Sequence, residues 1–154
     1  MSFYNSFFGL DFIVLRYSNA FGDRQGNSGE GGVISVFIKN ILKGEPSYIN
    51  GDGTNTRDYV YVKDIVSANV KALDYKKSGA FNISSGVETS LNDLSGVLSH
   101  LVNPHYKFSN SERIKGEQKR SCLDNKKARK LLSWNPEFTL KEGLEQTIKW
   151  FKDN

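Results

Sequence analysis

Hydrophobic positions along the chain change rhythm several times, and each change predicts an element. Residues 10–17 (LDFIVLRY) form a short apolar run rich in Phe, Ile and Val behind Gly9, the pattern of a buried parallel strand. Residues 18–32 follow with five glycines (Gly22, Gly26, Gly29, Gly31 and Gly32) and no apolar period, which predicts a long loop of functional character. Helical spacing then sets in at Val33, Ile34, Phe37, Ile38, Ile41 and Leu42, until Gly44 and Pro46 stop it. Two β-rich pieces, 47–50 and 58–62, are joined by GDGTNTR, so a hairpin or a looped excursion is expected. Asp64 is placed to cap a helix reaching Tyr75, and 80–84 (AFNIS) reads as another short strand. Ser90 caps a helix over 91–101, which Pro104 breaks. Asp124 opens a helix over 125–132, and beyond WNP, Thr139 or Leu140 starts a last amphipathic helix carrying Leu144, Ile148, Trp150 and Phe151.

Strands alternating with helices define an α/β chain. Only 10–17 and 80–84 read as parallel strands, and two such strands leave most of their edge open. They are therefore expected to belong to a larger sheet with other members elsewhere.

Composition narrows the class further. The chain has 154 residues, 38% hydrophobic and 25% charged, enough for one core. No apolar run approaches the ~20 residues a bilayer requires, and the N-terminus lacks a basic region followed by an apolar signal core. The lone Cys122 can make no internal disulfide, so a cytoplasmic protein without a membrane partner is expected. Net charge is +4, but it is uneven: residues 113–130 hold eight basic side chains against Glu117 and Asp124, a local +6. Such a segment suits phosphate, whether in nucleic acid or in a small anion, and equally a solvated helix face. It carries no interleaved aromatics and no nucleic-acid motif, which argues against a nucleic-acid partner. His100 and His105 have no Cys, Asp or second His at ligand spacing, so no metal site is predicted. Cys122, in a strand-like stretch without a nearby His, is expected to be a small buried thiol.

From RYSNAFGDRQ onward the sequence resembles the extended short-chain dehydrogenases that act as nucleotide-sugar epimerases and dehydratases, most of all the UDP-glucose 4-epimerase group. The likeness continues in order through VISVFIKNILKGEP, GDGTNTRDYVYVKDI, FNISSGVETSLNDL, KGEQKRSCLDNKKARKLLSWNP and LKEGLEQTIKWF. It is confined to the C-terminal half of the family. The resemblance implies that 1–154 is the C-terminal part of a Rossmann-like parallel sheet plus a small α/β subdomain binding the nucleotide sugar. The NAD-binding glycine-rich turn and the catalytic Tyr-x-x-x-Lys would lie in an N-terminal half outside this sequence. No G-x-x-G-x-x-G directly follows a strand here, and the glycines between Gly22 and Gly32 lie in a loop without the flanks for one. MSFYNSFFG resembles the tail of the catalytic helix.

Tyr59 and Lys63 do have the Tyr-x-x-x-Lys interval. On a helix that interval spans about 6 Å, but YVYV reads as a strand, where it spans roughly 13 Å. Lys63 is then out of reach of the Tyr59 hydroxyl, and the pair is set aside as a catalytic candidate.

The resemblance also implies roles for particular residues. Arg57 would grip the pyrophosphate, for which a planar guanidinium fork is suited; pairing of Arg57 with Asp58 or a neighbouring carboxylate to pin the loop is the alternative. Asn19 would donate its amide to a phosphate, with Ser18 beside it near the nicotinamide, or simply satisfy its own turn. Val33 would pack beside the base, and Tyr48 to Asn50 would flank it; at Asn50 the family commonly has an aromatic. Glu117 would take ribose hydroxyls and Arg113 a phosphate, the latter only with a one-residue slip from the family's spacing. The expected ligand is a nucleotide sugar, a UDP-hexose for this group. NAD is the family's cofactor, with no binding expected by this chain alone, and a separate N-terminal half chain is an expected partner.

Overall fold

The computed structural model describes residues 1–26 and 32–154, with only the backbone of Ser2; the 27–31 part of the predicted loop lies outside the described residues. The chain is mixed α/β with largely parallel pairing. It opens on helix α1 (Ser2–Phe8), which ends at Gly9 in a left-handed turn, and enters strand β1 (Ile13–Tyr17). β1 pairs in parallel with β5 (Gly79–Ile83), aligning Leu15 with Phe81, so the two predicted parallel strands are neighbours.

The expected loop begins differently from its prediction, because Asn19–Phe21 forms a short strand, β2. β2 pairs in parallel with β4 (Thr56–Tyr61), an interaction between distant segments that local composition does not announce. β4 also takes β6 (Glu88–Ser90) antiparallel and β8 (Arg120–Ser121) parallel. The hairpin alternative is overturned: β3 (Tyr48–Asn50) pairs in parallel with β7 (Ser109–Ser111), not with β4. The GDGTNTR stretch is therefore an excursion between two sheets, and Gly51 and Gly53 supply its positive φ angles.

Six-residue β4 is buried on both faces, and its alternation divides the interior. Tyr59 and Tyr61 face one core with Phe21, Ile34, Phe37, Ile38, Leu94, Leu98, Leu144 and Ile148. Val60 faces a second core with Ile65, Ala68, Phe81, Ile83, Leu132 and Trp134. The first core is closed by α2 (Val33–Lys43), α4 (Leu91–Val102) and α6 (Leu140–Asp153). The second lies under α3 (Val62–Leu73) and α5 (Lys126–Leu131).

Ser90 caps α4 by accepting from the Asp93 amide, and Thr139 and Glu142 close a reciprocal capping box on α6. Asp64 does not cap. α3 starts earlier, directly from β4, which leaves Asp64 buried in its first turn with its carboxylate accepting from the Glu137 and Phe138 amides. Burial pushes the Asp64 pKa up, and these two backbone donors oppose the shift. The Trp134 indole N–H donates to the Asp64 carbonyl, so the segment after α5 is fastened to α3. Among the described residues no helix is long and apolar enough to cross a membrane.

Candidate functional site

β2, the start of α2, the end of β3 and the first half of β4 surround a cleft of about 380 Å³. Asn19, Val33, Asn50, Arg57 and Glu117 all line it, together with Ala20, Phe21, Gln25, Gly32, Ile34, Asn55, Tyr59 and Leu91. Five residues scattered over the sequence from Asn19 to Glu117 thus share one cavity. Parallel pairing of β2 with β4 sets Asn19 opposite Tyr59, and strand alternation points Arg57 and Tyr59 to the same side.

Arg57 is held from behind: its Nη1 donates to the Thr56 carbonyl at 2.8 Å and the Gln118 carbonyl at 2.7 Å. Its Nη2 lies 3.6 Å from Glu117 Oε1, a loose ion pair that leaves guanidinium donors for a ligand. The pairing alternative for Arg57 therefore holds, with Glu117 as the carboxylate. Asp58 is not the partner, because it is fully buried and accepts instead from the Ser18 hydroxyl, the Ser85 hydroxyl and the Ser85, Gly86 and Leu123 amides. That carboxylate ties the β1–β2 junction to the loops after β5 and β8, and so fixes the floor of the cleft.

Three buried atoms of the lining have no hydrogen-bond partner: Glu117 Oε2, Gln25 Oε1 and the Tyr59 hydroxyl. Leaving such groups unsatisfied costs about 1–3 kcal/mol each, so a cavity that collects them is built for polar contacts with something else. Burial pushes the Tyr59 phenol up to about 12, against the opposing charge of Arg57, so it is a hydrogen-bond donor at neutral pH. Asn19 donates its amide to the Asp58 carbonyl at 3.1 Å.

The NAD dependent epimerase/dehydratase family matches residues 2–84. The chain belongs to that family. A Methanocaldococcus jannaschii relative is 43% identical over 151 residues, which are 98% of this chain and 49% of its own. The UDP-glucose 4-epimerase of Mycolicibacterium smegmatis is 37% identical over 155 residues, again 49% of its length. Among solved structures, the UDP-glucose 4-epimerase of Thermotoga maritima, determined with UDP-glucose, superposes with a TM-score of 0.95 at 38% identity, covering 99% of this chain and 49% of that one. The chain spans about half the length of the relatives it matches.

Within this epimerase/dehydratase chain, three predicted site residues fall outside the cleft lining. Ser18, the expected cofactor contact, commits its hydroxyl to Asp58 at 3.2 Å. Tyr48 is exposed on β3, because its neighbour Ile49 takes the buried face. Arg113 lays its aliphatic stem against Gly51, beside the cleft rather than in it. The described residues do not fit an NAD site by themselves. A bare glycine spacing exists at Gly26, Gly29 and Gly32, but β2 ends at Phe21 without running into it, and 27–31 lie outside the described residues. Tyr59 and Lys63 lie on β4 and α3, and the Lys63 ammonium is bonded to Gln146 Oε1.

Cys122 is exposed rather than buried, because it sits just past the end of two-residue β8. Partial desolvation and the Asp58 carboxylate push its thiol pKa up, the wrong direction for a nucleophile. The basic segment is divided among separate partners: Arg120 grips Glu88, Lys126 pairs with Asp124, and Lys127 donates to the Ala80 carbonyl over the Phe81 ring.

Sequence reasoning missed Tyr59, Asn55 and Gln25 as cleft residues. For Tyr59 a signal existed, since it stands two positions from Arg57 on a strand. For Gln25 and Asn55, both in loops, no periodicity was available.

Proposed function

We propose that this chain is the nucleotide-sugar-binding half of a UDP-glucose 4-epimerase-like, NAD-dependent epimerase or dehydratase, with a UDP-hexose as ligand. The observation that carries this reading is the cleft itself, where a backed guanidinium, a carboxylate with a spare oxygen, a protonated phenol and four side-chain amides converge beside apolar Val33 and Leu91. A diphosphate takes the free Arg57 donors in a charge-assisted pair, and the Tyr59 O–H adds a neutral donor that binds without repelling the charge. Glu117 Oε2 accepts from a ribose hydroxyl, which a phosphate could not offer at neutral pH. The Thermotoga maritima structure, with its UDP-glucose, supports the same ligand class.

NAD would supply a hydride acceptor for the sugar, and that chemistry would require the nicotinamide to be fixed against the reacting carbon. The glycine-rich turn and Tyr-x-x-x-Lys that the family uses for this are proposed to come from outside residues 1–154. Open apolar surface supports that reading: β1 pairs only with β5 among the described strands, and Phe3, Phe7 and Phe8 of the adjoining α1 are exposed.

Calorimetry and a turnover assay test the proposal. UDP-glucose binds, Arg57→Ala weakens it at least tenfold, and the chain with added NAD turns over neither UDP-glucose nor UDP-galactose. Turnover by these residues alone would remove the half-enzyme reading. Oligonucleotide binding with a steep salt slope, in the absence of UDP-glucose binding, would remove the nucleotide-sugar reading.

A further inference from the structure

Two contacts that hold Arg57 from outside its own strand come from the segment just ahead of β8: the Gln118 carbonyl accepts from Nη1, and the Glu117 carboxylate pairs with Nη2. The place of that segment depends on how β8 sits on β4, and β8 is only two residues long. The chain after it is anchored by Asp58, which accepts from the Leu123 amide. At β8 itself the Thr56 amide donates to the Lys119 carbonyl at 2.9 Å, and a side-chain clasp does the rest. Arg120 Nε donates to both oxygens of Glu88, at 2.8 and 2.7 Å, Arg120 Nη2 donates to Oε1, and the Thr56 hydroxyl donates to Oε2 at 2.8 Å. One carboxylate thus joins β6, β4 and β8. Register sets Arg120 opposite Thr56 and Glu88 opposite Asp58, and strand alternation puts Thr56 and Asp58 on the side of β4 away from Arg57 and Tyr59. Neither Glu88 nor Arg120 lines the cleft. An ion pair with an exposed arginine adds little to global stability, so the consequence of this fork lies in geometry.

We infer that Glu88 and Arg120 are positioning residues for the diphosphate: by locking β8 in register on β4 from the far side, they hold the Gln118 carbonyl and the Glu117 carboxylate against Arg57, and so keep its guanidinium in place at the cleft. Without the clasp, the ligand itself has to order the long Arg57 side chain, and that ordering is subtracted from its affinity. The inference rests on the nucleotide-sugar reading above.

The test is a double-mutant cycle read by calorimetry with UDP-glucose, using the full chain, Glu88→Gln, Arg120→Ala, Arg57→Ala and each clasp variant combined with Arg57→Ala, with a melting curve on every protein to confirm folding. Glu88→Gln and Arg120→Ala each weaken binding about three- to tenfold, the cost of ordering one long side chain. In the Arg57→Ala background the same two substitutions leave the remaining affinity nearly unchanged, because the group they position is gone. A structural role unrelated to Arg57 would instead cost the same in both backgrounds. Where Glu88→Gln fails to fold, Arg120→Ala, which truncates an exposed side chain, carries the test. Native affinity in a folded Arg120→Ala, or equal losses with and without Arg57, overturns the clasp's role while leaving the cleft's ligand class intact. Failure of the native chain to bind UDP-glucose overturns the ligand class and this inference together.

Discussion

At the scale of single residues, the cleft is defined by what its side chains leave undone. Tyr59 and Tyr61 lie two apart on β4, and both phenols are pushed up to about 12, Tyr59 and Tyr61 alike chiefly by burial, with the Asp23 charge adding to the shift at Tyr61. In the unfolded chain each would release its proton near 10. Between 10 and about 12 the folded state therefore binds more protons than the unfolded one, and stability falls as pH rises through that window. The expected outcome is a melting temperature that drops steeply over this range, with a shallower drop in Tyr59→Phe. Parallel slopes for the two proteins would show that the Tyr59 phenol ionises freely. Glu88 illustrates the opposite sign: hydrogen bonds from Arg120 and Thr56 hold its carboxyl down at about 2. Its contribution is present above the ordinary 4.5 and is lost as pH falls toward 2, although exposure of the Arg120 side chain keeps that contribution small.

At the scale of elements, most of the architecture turns on what packs against β4. Gly143 lies in the first turns of α6, where it lets the helix lie on the rings of β2 and β4. A Cβ there would stand 2.7 Å from Phe21 Cζ and 3.0 Å from Tyr61 Cδ2. Alanine gains about 1 kcal/mol in helix propensity over glycine, but overpacking costs typically 1–3 kcal/mol. Because both rings are buried and pack against each other, packing decides the sign. Gly143→Ala is expected to lower the urea midpoint by an amount equivalent to at most about 2 kcal/mol, the overpacking cost less the propensity gain; a midpoint above the native one would show that α6 shifts without cost. Legibility at this scale divides along the same line. The boundaries of α2, α4 and α6 were visible because amphipathic period, Ser90, Thr139 and Gly44 are local signals. β2, β7 and β8 were not visible, because segments of two or three residues become strands only by pairing with β3 or β4.

At the scale of the whole molecule, two cores share one strand, and among the described residues β1 and β5 form a sheet of two strands. β4 is flanked by β2, β6 and β8, whereas β1 has β5 alone among the described strands. Amide hydrogen exchange should separate them: amides of β4 exchange slowly, at rates approaching global unfolding, and those of β1 exchange faster through local opening. Adding a chain that carries the family's N-terminal half is expected to slow exchange across β1 specifically. Uniform protection of β1 and β4 in the isolated chain would contradict an open sheet edge.

The order of local signals in the sequence determined the α/β class, the family and the identities of Asn19, Arg57 and Glu117 as binding candidates, because helix period, caps and short motifs are written in neighbouring residues. Tertiary structure alone decided that these three meet in one cavity with Val33, Asn50 and Tyr59, that Ser18, Tyr48 and Arg113 stand outside it, and that Asp58 is spent on internal hydrogen bonds and not on pairing with Arg57. The reason is physical. A side chain's type is fixed by its codon, but its partners are fixed by strand register and burial, which depend on segments brought together only when both cores close.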